Sequence, residues 1–490
     1  MMFKSIWQEE NKKYKYPQLN KDIEVDVLII GGGITGVSTA YHLKDSNLKV
    51  CLVERNYIAS GVSSKTTGKL TYLQELIYSK LSDSYSFDVA KKYYESQKDA
   101  INLVNGIIKT ENINCDYVKQ ESYLFANKKL DVESIKKEKK LLEKMGINVL
   151  ENEMPINLLN YYSISVSDTA YFHPVKYINT LAEICAKNNV LIYENTNIIN
   201  FEENSKKYIC FTENHKISAK KVLFACHYPF FLFPFFFPLK GHLEQSYISA
   251  ISTKDAKNIS GINVSKTTKS FRYHNDYLLY LTGSHNLAFN FNVKNNFANL
   301  FYDLNKMNLA PKYVWSNVDI ITNDSLPYIG RLKDNIYIAT GYNTWGMTNG
   351  SLAGLIISDI IKEKDNKYVN IFNPNRAMPL SSSMNVCVDI FSSAKPFIEN
   401  KIIKNKPYYS KNVIFTKKNG KNVAIYIDKD NKKHIVYNKC PHLKCSLIFN
   451  EVEKTWDCPC HSSRFDINGN CIKGPSNYNI TYKKRIINIL

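Results

Sequence analysis

Short apolar runs, helix-spaced faces and alternating strands follow one another along this chain, and where one pattern gives way to the next the parts of the protein divide. Residues 25–30 and 50–53 are brief, β-branched and apolar throughout, the pattern of parallel strands buried on both faces. Residues 37–43, between them, have helical spacing. Charged faces with apolar residues at i, i+3 and i+4 predict helices over 87–110 and 131–146, and a further helix spans 175–187. Strands are predicted at 190–193, 221–226 and 336–340, and an apolar helix at 351–361. From about 403 the pattern turns to short strands (412–415, 423–427, 434–437) separated by turn residues, which predicts a small antiparallel β domain.

Three stretches stand outside these patterns. Residues 1–23 are polar and are expected to form an arm on the surface. Residues 363–402 mix charged, Asn-Pro and Ser-rich segments and are expected to form a linker with one short helix. The run 229–238 is almost entirely Phe and Pro. Pro234 and Pro238 exclude a regular helix or central strand there, and the run is too short to cross a bilayer. Internal packing is the leading expectation; a channel lining, a face against the cluster domain and a membrane-interface contact stay open.

Composition narrows the class. A chain of 490 residues with 44% apolar and 13% aromatic content is ample for about three domains with buried cores. The N-terminus shows no apolar signal-peptide core, and eleven cysteines in a chain this long are no secreted disulfide framework, so a cytoplasmic protein is expected. The net charge is +19, and residues 401–490 alone carry 18 Lys+Arg against 6 Asp+Glu. That basic end suits an acidic redox partner or an anionic membrane. No nucleic-acid module accompanies it, so nucleic acid is excluded as the expected partner.

The first chemistry lies at the end of the first strand, where Gly31, Gly33 and Gly36 form Gly-x-Gly-x-x-Gly at a strand-to-helix turn. Gly31 permits the tight turn, Gly33 lets the backbone approach a pyrophosphate, and Gly36 allows close helix–strand packing. The helix N-terminus supplies N–H donors and positive dipole to phosphates. The second strand ends at Glu54, about twenty residues on, where a carboxylate can accept from a ribose hydroxyl. These features predict a bound dinucleotide and leave FAD and NAD open.

The Ser/Thr/Gly stretch 59–70 that follows resembles the D-amino-acid-oxidase-like FAD-dependent oxidoreductases, whose members include glycine and sarcosine oxidases. The stretch 324–331, the strand 336–340 and the glycine-rich loop 341–350 resemble that family's C-terminal flavin-binding segment. The resemblance implies FAD held by Gly31, Gly33, Ile34, Thr35, Gly36, Glu54 and Arg55. It adds Ser63, Ser64, Thr67 and Gly68 around the pyrophosphate and flavin, and Ala225 at a strand end near the flavin. Gly341, Gly346, Met347, Thr348 and Asn349 would cap a helix aimed at the ring, where backbone N–H groups stabilise its reduced, anionic form. Arg272 and His274, on an alternating stretch, are candidates to meet a substrate carboxylate, with solvated strand positions as the blander alternative. No catalytic base can be named.

The second chemistry lies near the C-terminus, where Cys440 and His442 form Cys-x-His, and Cys458 and His461 form Cys-x-x-His. Two thiolates and two imidazoles in this order resemble a Rieske [2Fe–2S] site, in which one iron takes two cysteines and the other two histidines. A structural zinc site is the alternative, although its pairs are usually unmixed. The Rieske resemblance implies a disulfide between Cys445 and Cys460, and a covering loop at Gly474-Pro475. Ser463 matches a residue that hydrogen-bonds a cluster sulfur. Phe465 replaces a donor tyrosine, so the expected potential lies below the high-potential class. Lys444 and Ser462 stand where glycines are common in the pattern, which puts the local loop geometry in question.

Together these signs predict an α/β protein: a Rossmann-like FAD-binding domain with an antiparallel substrate domain, plus a small all-β Rieske domain. The expected FAD-dependent part is 24–362, with nucleotide segments about 24–80, 150–228 and 322–362 and substrate segments about 81–149 and 240–321. A linker at 363–402 and the Rieske domain at 403–490 complete it. The expected function is oxidation of an amine- or amino-acid-like small molecule, with electrons passing through the cluster to a one-electron acceptor protein, plausibly acidic. Reversed electron flow from a donor protein, a quinone-linked peripheral membrane enzyme and a non-catalytic zinc or redox-sensing module remain alternatives.

Overall fold

Strands that are apolar on both faces must be covered on both faces, and this requirement builds the first layer. The computed structural model describes residues 1–9, 16–156, 158–205, 207–231, 240–265, 267–287, 293–382 and 412–482. Strands Lys216–Phe224, Ile23–Ile30, Val50–Val53 and Leu191–Tyr193 run parallel, with Ile336–Thr340 parallel on the far side of Lys216–Phe224 and Tyr328–Lys333 antiparallel at the edge. Val27, Leu28 and Ile29 have no exposed surface. Helix Ile34–Leu43 packs on this sheet and against helix Gly346–Ile361. Those two helices approach so closely that a Cβ on Gly354 would sit 2.4 Å from the Ser38 Cβ.

The second layer is a nine-stranded, mostly antiparallel sheet in the order Pro311–Thr322, Gly241–Ser252, Tyr277–Asn286, Lys269–His274, Ile259–Asn263, Val118–Ala126, Tyr162–Tyr171 and Lys69–Leu70, with Leu150–Glu151 pairing beside it. Its one parallel step joins Ile259–Asn263 to Val118–Ala126. Strand Tyr162–Tyr171 belongs to this sheet, which extends the layer into a segment expected with the nucleotide part. Helices Phe87–Thr110, Val132–Lys144 and Pro174–Lys187 occur where the apolar spacing places them. The first is capped by the Ser86 hydroxyl, which accepts from the Val89 amide at 3.3 Å, and the last starts on Pro174 behind a His173 cap.

The N-terminal arm is not wholly a surface feature. Ile6 and Trp7 are buried, and the Trp7 indole donates to the Thr66 carbonyl at 2.6 Å. Leu19 is buried as well, whereas Pro17, Gln18 and Asn20 are exposed, so the described part of the arm is only partly at the surface. The linker is anchored at its start: Arg376 clasps the buried Asp324 carboxylate through Nε at 2.7 Å and through a second guanidinium nitrogen at 2.8 Å. The beginning of the Phe/Pro run packs internally, with Phe230 and Phe231 edge-on to Phe224, whereas residues 232–238 lie outside the described residues.

The C-terminal part has its own core of Ala424, Val436, Phe449, Trp456, Phe465 and Ile480, enclosed by a three-stranded and a four-stranded sheet, both antiparallel. It lies against the rest of the chain along strand Pro311–Thr322, where the Ser316 hydroxyl donates to Glu453 at 2.6 Å. Among the described residues no helix is long and apolar enough to cross a membrane.

Candidate active site and cluster centre

A cleft of about 1960 Å³, open solvent included, runs from the glycine fingerprint to the nine-stranded sheet. Its lining joins the phosphate-binding turn to the face of the sheet, the two places that a dinucleotide and a substrate would occupy. At its nucleotide end Gly31 has φ +117°, and a Cβ there would sit 2.5 Å from the Ala225 carbonyl oxygen. A Cβ on Gly36 would fall 1.9 Å from the Gly31 oxygen, so close helix–strand packing explains that glycine. The helix behind it has no side-chain cap, and one of its first N–H groups, that of Ile34, donates to the Ser63 hydroxyl at 3.1 Å. Glu54 is locked at the end of its strand by the Gly32 and Asn56 amides, at 2.8 and 2.9 Å.

The cleft wall carries Gly31, Gly33, Ile34, Thr35, Glu54, Arg55, Ser63, Thr67, Ala225, Gly346 and Met347. Gly36, Ser64, Gly68, Gly341 and Thr348 stand behind it. The Ser64 hydroxyl closes its own turn onto the Ser60 and Gly61 carbonyls. Gly68 and Gly341 hold left-handed turns with φ of +74° and +72°, and Thr348 and Asn349 are fully buried in the first turn of the helix. Tyr342 donates to or accepts from Thr35 at 2.7 Å, tying the glycine-rich loop to the fingerprint helix.

At the sheet end the wall includes Ser246, Ile248, Ile262, Ser270 and Leu281, and ionisable groups that sequence reasoning missed, among them Lys69, Glu75, Glu244 and Asp319. Lys69 Nζ donates to the Gly261 carbonyl at 3.0 Å and to Ser270 Oγ at 2.6 Å. Burial, then the charge of Arg272, pushes its ammonium down to about 7. Glu244 is pushed up to about 7 by burial and then by the charge of Glu75, whose own carboxyl is raised by burial. Neither carboxylate has a hydrogen-bond or ion-pair partner among the described residues, and both face the cleft. Each comes singly, from a loop and from a strand, with no motif around it to announce it.

Arg272 and His274 are buried and do not line the cleft. The Arg272 guanidinium is fully buried, donates to the Thr67, Tyr273 and Phe172 carbonyls, and lies 4.4 Å from the Tyr171 ring centre and 5.2 Å from that of Trp7. His274 is packed edge-on against Trp7 at 4.8 Å. The buried N-terminal arm has taken both residues into the core.

In the C-terminal domain two loops face each other. In one, the Cys440 amide donates to the Cys445 carbonyl and Lys444 N–H returns to Cys440; in the other, Cys458 pairs with Ser463 and Ser462 N–H returns to Cys458. Lys444 and Ser462 sit at φ 61° and 60°, which is why glycine suits these positions. Cys445 and Cys460 are joined in a disulfide. The sulfurs of Cys445, Cys458 and Cys460 lie within 4.8 Å of one another, but the disulfide pair has no thiolate to give, so the free thiols are Cys440 and Cys458. The Cys440 thiol is drawn down to about 7, chiefly by its bond to Cys458, whose own thiol is pushed up.

His442 and His461 complete the set, with ring centres 5.0 Å apart. Both nitrogens of His442 and Nδ1 of His461 are buried without a hydrogen-bond partner among the described residues. Burial pushes His442 down to about 4 and His461 to about 3, so both imidazoles are neutral, the form that ligates metal. Orphaned imidazole nitrogens opposite two buried thiols fit a cluster with two sulfur and two nitrogen ligands.

Residues 26–360 match the family described as FAD dependent oxidoreductase. The chain belongs to that family. This FAD-dependent oxidoreductase also carries a Rieske [2Fe-2S] domain, matched over residues 401–483, so its cofactors are FAD and a Rieske cluster. It is 29% identical to the putative Rieske 2Fe-2S iron-sulfur protein YhfW of Bacillus subtilis over 96% of each chain. It is 23% identical to gamma-glutamylputrescine oxidoreductase of Escherichia coli, over 74% of this chain and 90% of that protein. The solved structure of glycine oxidase from Geobacillus kaustophilus overlays with a TM-score of 0.60 at 16% identity, over 72% of this chain and 99% of that one, a likeness of fold.

In this FAD-dependent oxidoreductase the Rieske domain sits on the cleft. Ile472, Lys473, Gly474, Pro475 and Asn477 line it beside Arg55, Asn197 and Tyr228. The Tyr228 ring lies 5.7 Å from that of His461. Arg55 donates to Asn197 Oδ1 at 3.0 Å, to Cys471 Sγ at 3.0 Å and to Asn477 Oδ1 at 2.9 Å, so most of its bonds cross to the cluster domain.

Proposed function

We propose that the protein is a cytoplasmic dehydrogenase of a cationic amine, which sends electrons from its flavin through the Rieske centre to an external, acidic one-electron acceptor protein. One observation carries the reading: Tyr228 is on the cleft wall and its ring also lies 5.7 Å from that of His461, a candidate cluster ligand. FAD supplies two-electron oxidation of the substrate and the cluster supplies single-electron transfer. Gly31, Gly33, Ile34 and Thr35 receive the pyrophosphate at the helix N-terminus, Glu54 the ribose, Ser63 and Thr67 the linking chain, and Gly346 and Met347 the ring. Cys440 and Cys458 hold one iron, and His442 and His461 the other. The basic C-terminal ninety residues suit an acidic partner. Anaerobic mixing with a panel of amines and amino acids tests the reading. An amine should bleach the flavin absorbance, and the paramagnetic signal of the reduced cluster should follow; no bleaching by any member of the panel sinks it.

Glu75 and Glu244 favour an amine over an amino acid. Two unpaired carboxylates attract an ammonium group and repel a carboxylate. Of the basic groups on the wall, Arg55 is committed to the cluster domain and Lys69 to the Gly261 carbonyl and Ser270. Glu244 holds a proton below about pH 7, so kcat/KM for a cationic amine should climb through that pH as the carboxylate ionises. Glu244→Gln should lower kcat/KM about 10- to 100-fold at pH 8, the loss of a charged hydrogen bond, and should flatten that limb of the profile. A profile unaltered by the substitution would remove Glu244 from substrate binding.

Around the cluster, the Ser463 hydroxyl bonds the Cys440 thiol and accepts from the Ser476 amide at 2.9 Å, while Phe465 is fully buried and offers no donor. Donors to the sulfurs raise the potential. A redox titration should therefore place this centre below the high-potential Rieske class, and Phe465→Tyr should move it upward.

A further inference from the structure

The loop that covers the cluster also faces the dinucleotide cleft. Glu54, at the end of its strand, marks the ribose position, and the residues around it on the wall are Arg55, Asn56, Thr196, Asn197 and Ile198. The Rieske domain comes down onto that patch. Arg55 bonds Asn477 and Cys471; Asn197 Nδ2 donates to the Asn477 carbonyl at 2.6 Å; Asn477 Nδ2 donates back to the Ile199 carbonyl at 3.3 Å. Ile472, Gly474, Pro475 and Asn477 then form wall surface beside Glu54 that the flavin domain does not supply. Lys473 brings an amine to the same wall, its ammonium pushed down to about 7 by burial and then by the charge of Arg464, with one long hydrogen bond, 3.5 Å to the Val318 carbonyl.

We propose that the Rieske domain is part of the FAD site: its loop 471–477 closes the cleft over the adenosine half of the dinucleotide, and the Arg55–Asn477 contact holds it there. Seating FAD therefore stabilises the docked loop, and a docked loop tightens FAD binding. Linkage requires these two free energies to be equal. The same contact sets the distance between the flavin and the cluster, so docking and cofactor retention are one event. The inference depends on FAD binding alone and is independent of the substrate and of the direction of electron flow.

The test removes FAD from the full-length protein and titrates it back, following flavin fluorescence, with ADP as a probe of the adenosine half. Asn477→Ala should weaken FAD and ADP alike by about tenfold, the loss of one hydrogen bond to a charged group. The visible and paramagnetic spectra of the reduced cluster should remain those of the parent, which shows that the domain is folded. If that variant loses its cluster, Arg55→Lys, on the other side of the contact, decides by the hydrogen exchange of the loop and not by affinity, because Arg55 itself lines the dinucleotide cleft. Amide hydrogen exchange in 471–477 should also slow when FAD or ADP is added. Affinities within twofold of the parent, or exchange that ignores the nucleotide, overturn the proposal.

Discussion

Cys458→Ser is expected to give a protein that keeps FAD and contains almost no iron or sulfide. The thiolate is the ligand form, and a serine hydroxyl remains protonated in a buried site, so one iron would lose half of its sulfur ligation. Cys458 is 2% exposed, and among the described residues no other free thiol is placed to replace it: Cys445 and Cys460 are locked together, and Cys471 is held by Arg55 at 3.0 Å. The substitution is small and spares the loop backbone, because the Cys458 amide still reaches the Ser463 carbonyl and the Ser462 amide still returns to residue 458. The disulfide goes on tying the two loops. Iron and sulfide should fall from about two of each per chain to near zero, while the flavin released on denaturation stays stoichiometric. Cys471→Ser is the control and should retain the cluster. Parent-level iron in Cys458→Ser would show that the site is built on other ligands.

The two ends of the molecule were legible because each is encoded locally. A strand, three glycines, a helix and a terminal acid lie within about thirty residues, and the structure folds them into one turn. The cluster motif is equally compact, and even its departures have a local meaning: Lys444 and Ser462 accept the left-handed backbone that glycine adopts without cost. The centre of the chain was less legible because its information is in long-range pairing. Nothing in residues 259–263 announces a parallel partner at 118–126. Trp7 looks like part of a polar arm until its indole finds Thr66, and that burial in turn removes Arg272 from the substrate site. Arg55 shows the same limit. Its place after the ribose acid suggested a cofactor contact; it does line the cleft, yet its partners Cys471 and Asn477 come from more than four hundred residues later. Glu75 and Glu244 carry no motif at all, and they became visible when the sheet brought them to one wall.

Arg464→Leu should undock and destabilise the cluster domain by about 3–5 kcal/mol, the usual loss when one member of a buried ion network is removed. The guanidinium is nearly enclosed, with Glu453 at 2.9 Å on one side and Asp457 at 2.9 Å on the other. Glu453 also receives the Ser316 hydroxyl from the flavin domain, so this network is the polar centre of the interface. Without Arg464 the two neighbouring carboxylates lose the cation they share, and Lys65 remains near them. For a domain of this size each kcal/mol is worth roughly 4–8 °C, so the melting of the cluster's visible circular dichroism should fall by about 15 °C or more. The pH dependence should also change sign. Burial alone would raise the Glu453 carboxyl, but Arg464, then Lys65 and the Ser316 bonds, hold it below its ordinary range. In the parent this contribution is present above the ordinary carboxylate range and is lost as pH falls through the lowered folded value. In the variant the burial effect is opposed by far less, the folded carboxyl rises, and stability is greatest in acid and declines toward neutrality. A triple variant that also carries Glu453→Gln and Asp457→Asn should recover part of the loss, since both carboxylates are then neutral, while the buried Lys65 keeps its own cost. An unchanged melting temperature in Arg464→Leu, or an unaltered acid limb, would show that the domain is held by its apolar contacts and the Arg55 clasp alone.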